Sequence, residues 1–555
     1  MMKSGVWGFG VSSSANNSIL PGDSGWAITN DHINGISNRD ENKTENTNNN
    51  NVKYGLNLSY DLNKKHLFNL SCSLGNMESD LKANSFNTTT ALNNNELLRT
   101  YSRISNAQSN KNNYFIDADY QYVFKPDTSR KIESSLSIAY RYANNASESD
   151  SKFNVAGNTT MLGNQNTNDE NNGEYTVQAD YTFKQKRKGE FTFETGIKTV
   201  VRDNVSYKSV YPEQFNSGEF ELQPTSNYSF GYNQQVYSGY VSLSESFKKL
   251  VISIGSRIEY SRGQGISKAN NDLQVPFSTS NFYLMPVFNL SYLANWSNRI
   301  SFSYRMNGRK PAFDMLNPAV TKFNEWTVRY GNPELKPEKA HSFKTEYTYL
   351  GPKGLNLSFA LEHEFCNNAL EDFYWVNTDS ITHRSYANSA TSKSLGLAFN
   401  VNKSFLNQKL RFSFNVMPRK VWSNYKSKHI SIEDFSTGYG GSVSYSFSKG
   451  PSISSSLFSN GAMVLGQLKV AGYTSHSFDI SQSFFERKLS FTASVTSPFQ
   501  KQRIDEALLM SPEFEQSSYR SSQMRSFTLR LNYNFRKNSI LSRQNTKKIV
   551  NDDLK

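Results

Sequence analysis

The fold class follows from one alternating stretch near the N-terminus. It reads Val52-Lys53-Tyr54-Gly55-Leu56-Asn57-Leu58-Ser59-Tyr60-Asp61-Leu62, with an apolar residue at every even position and a polar residue or glycine at every odd one. Successive side chains of a β-strand point to opposite faces of a sheet, so this alternation predicts a strand with one apolar face. After a polar turn near 63–66 the alternation resumes from Phe68 to Leu74. Two such runs joined by a tight turn indicate a β-hairpin.

The same alternation recurs along the chain, and no stretch of comparable length shows a sustained helical period. We predict nine hairpins with tight turns, a last strand near 518–535 and two weaker strands near 4–13 and 24–36, about 20 or 21 strands in all. The hairpins are predicted at 52–77, 113–144, 174–203, 234–262, 281–309, 339–377, 393–424, 435–466 and 472–499. The chain is therefore predicted to be all-β.

The connections between these hairpins are long and polar, as in 78–112, 145–173 and 204–233. Short turns at one end and long loops at the other are typical of an outer-membrane barrel with periplasmic turns and extracellular loops. Lipid offers the backbone no hydrogen-bond partner, so a sheet can span it only when closed. Soluble β-sandwiches or a propeller are the alternative, but we find neither a domain linker nor a repeat. We predict a large antiparallel transmembrane β-barrel of about 20–22 strands.

Composition agrees with a barrel. Of 555 residues 36% are hydrophobic, yet 14% are aromatic. A disordered chain would be poor in aromatic residues, and no run approaches the roughly 20 apolar residues of a transmembrane helix. Cys72 and Cys366 are the two cysteines, too few for a disulfide framework or a thiolate metal site.

The charge pattern does not indicate nucleic-acid binding. The 61 basic and 48 acidic residues give a net charge of +13, but the basic residues recur in short turns and form no single patch. Turn lysines are usually solvated, so we predict no nucleic-acid partner. Mid-strand charges lie in the polar register and predict a polar, water-filled lumen; they include Asp117, Asp119, Lys344, Glu346, Glu362, Glu364 and Arg530. Glu245 and His363 are exceptions, because they fall in the apolar register.

The sequence contains no pattern that indicates catalysis. The seven histidines are scattered, and no pair has the spacing of a zinc-binding HExxH motif. We find no nucleophile elbow and no phosphate-binding loop. We therefore predict that the protein is not an enzyme, and we assign no catalytic, cofactor-binding or metal-binding residue.

One segment carries a more specific pattern than alternation. It reads Ser303-Tyr304-Arg305-Met306-Asn307-Gly308-Arg309-Lys310-Pro311, then Leu316-Asn317-Pro318, and then Gly331-Asn332-Pro333-Glu334-Leu335-Lys336-Pro337-Glu338. Proline cannot donate a hydrogen bond to a sheet, so the four prolines keep this segment out of strands. Alternation resumes from Lys339 to Leu350.

This segment resembles the mid-barrel signature of TonB-dependent receptors, in the branch known as an outer-membrane β-barrel family. The last strand also resembles that family's closing strand. The residues that match the signature are Arg309, Pro311, Asn317, Pro318, Gly331, Asn332, Pro333, Leu335, Lys336, Pro337 and Glu338. The resemblance implies an outer-membrane barrel that binds or takes up a nutrient such as a metal chelate, a glycan or a peptide.

The chain also departs from the family pattern. No export signal and no plug domain are recognisable, so we expect residues 1–535 to form a barrel that is N-terminally incomplete relative to full receptors, and 536–555 a polar C-terminal tail. We expect an early strand to pair with the last one, because an open sheet edge is unstable in lipid. The expected partners of this monomeric barrel are outer-membrane lipid and a small ligand, with an energy-coupling protein only if a plug is supplied elsewhere. A structural or adhesive barrel without transport is the alternative, and a soluble β-rich binding protein is the less favoured one.

Overall fold

The computed structural model describes residues 6–29, 36–62, 65–91, 97–124, 132–157, 161–186, 189–216, 219–222, 226–269, 274–324, 327–376, 382–425, 430–448, 450–485 and 488–533. These residues form one large sheet of β-strand segments with a four-residue helix and a short 3₁₀ turn. The helix α1 is Phe313–Leu316 and the 3₁₀ turn is Pro352–Gly354. None of the helices in the described part of the chain has the length and apolar character needed to cross a membrane.

The strand segments are β1 (Val6–Thr29), β2 (Ile36–Leu62), β3 (His66–Ala91), β4 (Leu97–Val123), β5 (Ile132–Gly157), β6 (Met161–Lys186), β7 (Glu190–Asn216), β8 (Glu219–Leu222), β9 (Ser226–Phe247), β10 (Leu250–Ala269), β11 (Gln274–Leu293), β12 (Asn298–Arg309), β13 (Thr321–Asn324), β14 (Thr327–Arg329), β15 (Glu338–Gly351), β16 (Leu355–Val376), β17 (Thr382–Phe405), β18 (Leu410–Tyr425), β19 (Ile430–Ser446), β20 (Ser452–Asn460), β21 (Met463–Leu465), β22 (Leu468–Val470), β23 (Tyr473–Phe484), β24 (Leu489–Thr496), β25 (Gln502–Met510), β26 (Glu515–Gln523) and β27 (Ser526–Tyr533).

Across the described residues these segments make up about 20 long strands in an up-and-down order. The short segments β8, β13 and β14 lie inside connections, and β21, β22, β25 and β26 continue neighbouring strands away from the tight turns. Each long strand pairs antiparallel with the next along the chain. All nine predicted hairpins are confirmed, and so is the fold class: the protein is an all-β, large antiparallel transmembrane barrel.

The strands are longer than the sequence predicted. β3 continues to residue 91 and β5 to residue 157, so most of 78–112 and 145–173 is paired strand and not irregular loop. These polar extensions lie beyond the roughly 10 residues per strand that cross a membrane. The separate strand predicted at 24–36 is wrong, because residues 24–29 belong to β1 and residue 36 begins β2. The tail at 536–555 lies outside the described residues.

The two faces of the sheet differ in chemistry. In β10, odd residues from Glu259 to Ser267 are buried, whereas the even-numbered Ile254, Ile258 and Ile266 are exposed. Charges on the inner face pair across strands, as Lys344 does with Glu362 at 3.4 Å. His363 lies on the apolar outer face, where its ring stacks against Phe343 with centroids 6.4 Å apart. His363 therefore lies on the face that the alternation assigns to it, although its side chain is polar.

The first and last strands meet over part of their length. β1 pairs with β26 through Gly22–Thr29, so the expected pairing of an early strand with the last one is found over this length only. Nearer the tight turns, among the described residues, β1 pairs on one side only, with β2, and β27 pairs on one side only, with β24. The hydrogen-bonded seam therefore covers the extracellular half of the barrel, and the periplasmic half is not closed by strand pairing in the described residues.

Candidate functional site

The motif segment forms a strap across the inner face of the barrel; the strap is defined here as the described residues 310–324 and 327–337. β12 has 12 residues whereas β10 and β11 each have 20, so the chain leaves the sheet early at Arg309. It returns at Glu338, which pairs with Arg309 in the β12–β15 ladder. Within the strap, β14 pairs in parallel with the start of β17. The predicted exclusion of the motif prolines from strands is correct.

Ion pairs fix both ends of the strap. Arg309 Nη2 lies 3.3 Å from Glu338 Oε2, and that carboxylate also accepts a hydrogen bond of 2.9 Å from the Leu370 backbone N–H. Next to Arg309, the buried Lys310 ammonium pairs with Glu259 of β10. Arg257 Nη2 contacts the other Glu259 oxygen at 2.6 Å. A buried carboxylate with two cationic partners is costly to break, so these contacts hold the strap against the sheet.

The motif residues Asn317 and Gly331 bring two parts of the strap together. The Gly331 N–H donates to the Asn317 carbonyl at 2.6 Å. A Cβ at Gly331 would lie 2.5 Å from the Met315 carbonyl oxygen and 2.6 Å from the Asn317 nitrogen, so no other residue fits there without displacement. Asn317 Oδ1 accepts the Ala319 N–H at 3.0 Å and thereby stabilises the turn at Pro318.

The remaining motif residues join the strap to β16 and β17. Asn332 Nδ2 donates to the Tyr386 carbonyl at 3.2 Å. Both backbone groups of Lys336 bond to the Asn388 side chain at 2.7 Å, and the Pro337 carbonyl accepts from Asn368. Leu335 is buried in an apolar cluster with Phe230, Tyr232, Leu316, Leu370 and Tyr386. Pro311 is buried and Pro333 is partly exposed. The motif residues therefore come together at the strap and its two ends, where most of them make structural contacts.

A stack of aromatic rings connects the strap to the sheet. Phe230 of β9 stacks on Phe277 of β11 with centroids 5.9 Å apart, and Phe313 of the strap lies 6.2 Å from Phe230. Tyr232 stacks on the same Phe277 ring at 5.9 Å. A Cβ at Gly265 of β10 would overlap the Phe277 ring, so glycine provides the space in which that ring lies.

A second inward element, the tip hairpin (residues 463–470), was not predicted. The predicted strand ending at 466 stops at Asn460, and β21 and β22 form the tip hairpin. Its buried Gln467 accepts the Tyr374 N–H at 2.7 Å and donates to the Met510 carbonyl at 3.0 Å. A turn residue whose amide serves as a bridge between distant strands carries no periodic signal, so the sequence could not reveal it.

A polar cavity of about 400 Å³ lies between the strap and the inner face of β5, β6, β7 and β9. That volume is within the range of small-ligand sites. It is lined by Ser149, Ser151, Asn166, Asn168, Glu170, Ser206, Lys208, Tyr228, Ser229, Phe230, Asp314, Asn317, Ala319, Arg329, Tyr330 and Gly331. Of the motif residues, Asn317 and Gly331 reach it. The wall residues were missed because they lie in polar stretches predicted as loops.

Lys208 is the one lysine among the residues that line this cavity. Strand pairing places Asn168, Lys208 and Tyr228 side by side on three adjacent strands. Burial lowers the pKa of Lys208, and among the described residues we find no ion pair or hydrogen bond to its ammonium. The neighbouring Glu170 carboxylate instead accepts from Asn168 Nδ2 at 3.0 Å.

A second cavity, of about 470 Å³, lies on the other side of the strap between the sheet and the tip hairpin. Its lining includes Arg309, Glu338, Glu364, Glu371 and Arg419. Glu371 lies near the far end of β16, beyond the membrane-crossing part of that strand. The pKa of Glu371 is raised to about 7, mainly by burial; Arg309 opposes this rise, and the nearby Glu338 and Asp372 contribute to it.

Comparison with solved structures shows the same fold. The siderophore receptor PiuA from Acinetobacter baumannii has a TM-score of 0.51 and 10% identity, covering 91% of this chain and 82% of that one. The ferric citrate transporter FecA has a TM-score of 0.51 and 10% identity, and the match covers 91% of this chain and 78% of that one. The ferric-catecholate import receptor Fiu from E. coli K12 has a TM-score of 0.51 and 10% identity, and the match covers 92% of this chain and 82% of that one. At this identity the likeness concerns the fold alone. No curated protein sequence matches the chain.

Residues 127–533 match a family described as the outer membrane protein beta-barrel family. That range covers more than half of the chain and includes the strap and both cavities. The predicted resemblance and the outer-membrane location are confirmed, and the soluble alternative is wrong. The protein belongs to the outer membrane protein beta-barrel family and is a barrel of the cell outer membrane.

Proposed function

We propose that the barrel binds a small nutrient ligand on its extracellular side and takes it up, as a TonB-dependent receptor does. The observation that carries this proposal is the cavity of about 400 Å³ between the strap and the inner face. A purely structural barrel has no need of an inward connection held by buried ion pairs beside a polar cavity. The ligand classes are a metal chelate, a glycan or a peptide, and the names of PiuA, FecA and Fiu support the first.

The signature residues have a positioning role in this proposal. Arg309, Glu338, Gly331 and Leu335 hold the strap in place, so the cavity keeps its shape before the ligand arrives. Preorganisation of this kind lowers the entropic cost of binding. Residues 1–535 form the binding barrel and 536–555 a polar tail in this proposal, which treats the barrel as a monomer and non-enzymatic. Energy-coupled uptake additionally requires a plug to contact the coupling protein.

The proposal is tested by blocking the cavity. Ser149→Trp places a large ring in it, whereas Asn145→Trp adds the same ring on the same strand and face, four residues nearer the periplasm and outside the lining. Binding of ferric citrate, oligosaccharides and short peptides is measured by calorimetry on the full chain in detergent. We expect one class to bind, Ser149→Trp to abolish binding and Asn145→Trp to retain it. Equal binding by both variants would place the ligand elsewhere.

Uptake is tested separately in a deletion strain. Complementation with the wild-type gene should restore accumulation of the bound ligand, and Ser149→Trp should not. Binding without any difference in accumulation would favour the alternative of a structural or adhesive barrel.

A further inference from the structure

The wall of the cavity beside the strap consists largely of neutral hydrogen-bonding groups. Ser149, Ser151, Asn166, Asn168 and Ser206 contribute hydroxyl and amide groups from three adjacent strands. By alternation all five lie on the inner face, opposite exposed apolar residues such as Tyr175 and Ile197. Hydroxyls and amides both donate and accept, so this lining suits a ligand with many hydroxyl groups.

The same strands are unsuited to an extended peptide. Peptides commonly bind by adding a strand to an exposed sheet edge. β5, β6, β7 and β9 each pair with a neighbour on both sides along the cavity, so their backbone groups are already used. Among the three ligand classes of the proposed function, the peptide is therefore disfavoured.

The charges of the lining distinguish the two remaining classes. Four charged residues line the cavity: Glu170, Lys208, Asp314 and Arg329. Arg329 Nη2 lies 2.8 Å from Asp314 Oδ2, and Glu170 is hydrogen-bonded by Asn168. A ferric chelate with several carboxylates would meet two carboxylates of like charge here, and one cation, Lys208, remains to receive a single anionic group.

Aromatic rings border the position of that cation. Tyr228 is the cross-strand neighbour of Lys208, and Tyr330 lines the cavity from the strap. The apolar face of a pyranose ring packs against an aromatic ring, while its hydroxyls need the polar partners that the serines and asparagines supply.

We infer that this cavity is a subsite for an acidic sugar, whose hydroxyls bond to the Ser and Asn side chains and whose carboxylate pairs with the Lys208 ammonium. This inference rests on the proposed function and names its ligand class. The carboxylate fills the one place in the lining where a half-buried positive charge has no counterpart among the described residues. A charge-assisted hydrogen bond there favours the acidic sugar over a neutral sugar of the same size.

The test compares two disaccharides of equal length by calorimetry on the full chain in detergent. Galacturonic acid disaccharide should bind about tenfold more tightly than neutral galactose disaccharide, the equivalent of about 1.4 kcal/mol. Lys208→Gln should remove this preference while leaving weak binding of both. Lys198→Gln, on the same strand and face but ten residues nearer the periplasm and outside the cavity, should leave the preference intact.

Equal affinity for both disaccharides, or a preference that survives in Lys208→Gln, would overturn the inference. Ferric citrate binding that Ser149→Trp abolishes, with no sugar binding, would also overturn it while the proposed function stands. If neither the sugars, nor ferric citrate, nor a short peptide binds the wild-type chain saturably, the inference and the proposed function both fail.

Discussion

Glycines on the inner face of β10 decide where aromatic rings can lie. A side chain at Gly265 would occupy the place of the Phe277 ring, and one at Gly263 would overlap the Tyr232 hydroxyl. Both rings belong to the stack that ends on Phe313 of the strap. Because Gly263 and Gly265 have no β-carbon, the rings can pack against Phe313 and hold the strap, which lies some 50 residues further along the chain.

This dependence predicts the effect of a single methyl group. Gly265→Ala should push Phe277 out of the stack and loosen the strap, at a cost of about 1–3 kcal/mol for overpacking. Hydrogen exchange of strap amides measures the change. Gly231→Ala on β9 is the control, because its Cβ would meet nothing within 4 Å. Equal protection of the strap in both variants would show that the stack does not hold it.

Glu371 predicts a pH dependence of the tip hairpin. A Cβ at Gly466 would lie 3.3 Å from Glu371 Oε2, so this carboxyl lies directly under the turn. Because its pKa is raised from 4.5 to about 7, the folded state holds the proton more tightly than the unfolded state. The contribution of Glu371 is most favourable below pH 4.5, and stability is lost as the pH rises from 4.5 to 7.

The loss should be on the order of 3 kcal/mol, from the difference between the two pKa values. Amide protection of the tip hairpin, corrected for intrinsic exchange, should therefore fall between pH 5 and pH 8. Glu371→Gln should abolish the fall, and Glu364→Gln in the same cavity should retain it. A fall of the same size in Glu371→Gln would assign it to another group.

Most of the signature could be recognised in the sequence because its residues are required by the local backbone conformation. The prolines exclude a strand, and Gly331 permits a close approach that any side chain would prevent. The cavity wall was not visible. Lys208, Asn168 and Ser149 are apart in sequence and meet only through strand pairing, which alternation in a polar stretch does not specify.

At the scale of elements, the tip hairpin depends on one buried side chain. Gln467 is 1% exposed and bonds to backbone groups of both β16 and β25. An amide can satisfy a donor and an acceptor at once, which a hydrocarbon side chain of similar size cannot.

Gln467→Leu should leave the Tyr374 N–H and the Met510 carbonyl without that partner. Each unsatisfied buried group costs about 1–3 kcal/mol. We expect the hairpin amides to lose protection while the strands near the tight turns keep theirs, as measured by hydrogen exchange. Gln502→Leu, at the exposed start of β25, should change neither. Unchanged protection in Gln467→Leu would show that the turn is held by other contacts.

The strand extensions illustrate what periodicity can reveal about an element. Inside the membrane one face must be apolar, so the hairpins were predictable from alternation. Beyond it both faces meet water, and Asn, Ser and Thr can occupy either face. Polar stretches such as 145–157 therefore form strands that cannot be predicted from a hydrophobic pattern.

For the whole molecule, the register of the seam can be tested directly. Ala27 and Ser517 are paired residues of β1 and β26. In a chain lacking Cys72, the Ala27→Cys/Ser517→Cys variant should form a disulfide under mild oxidation, seen as a gel shift that reductant reverses. Ser14→Cys/Arg530→Cys, in the half where these strands are not paired with each other, should form it far less. A disulfide in both variants at equal yield would indicate closure along the whole height.

The seam also bears on how the barrel is made. Its partners are almost the full chain apart, as in the 3.1 Å contact between Glu45 and Arg520, 475 positions away. Among the described residues each long strand otherwise pairs with the next long strand along the chain, so the sheet can grow in order while each intermediate keeps two open edges. Closure waits for the last strand, and such distant pairing is slow. Assembly of this protein is therefore expected to be limited by its final step, with exposed edges that need protection until then.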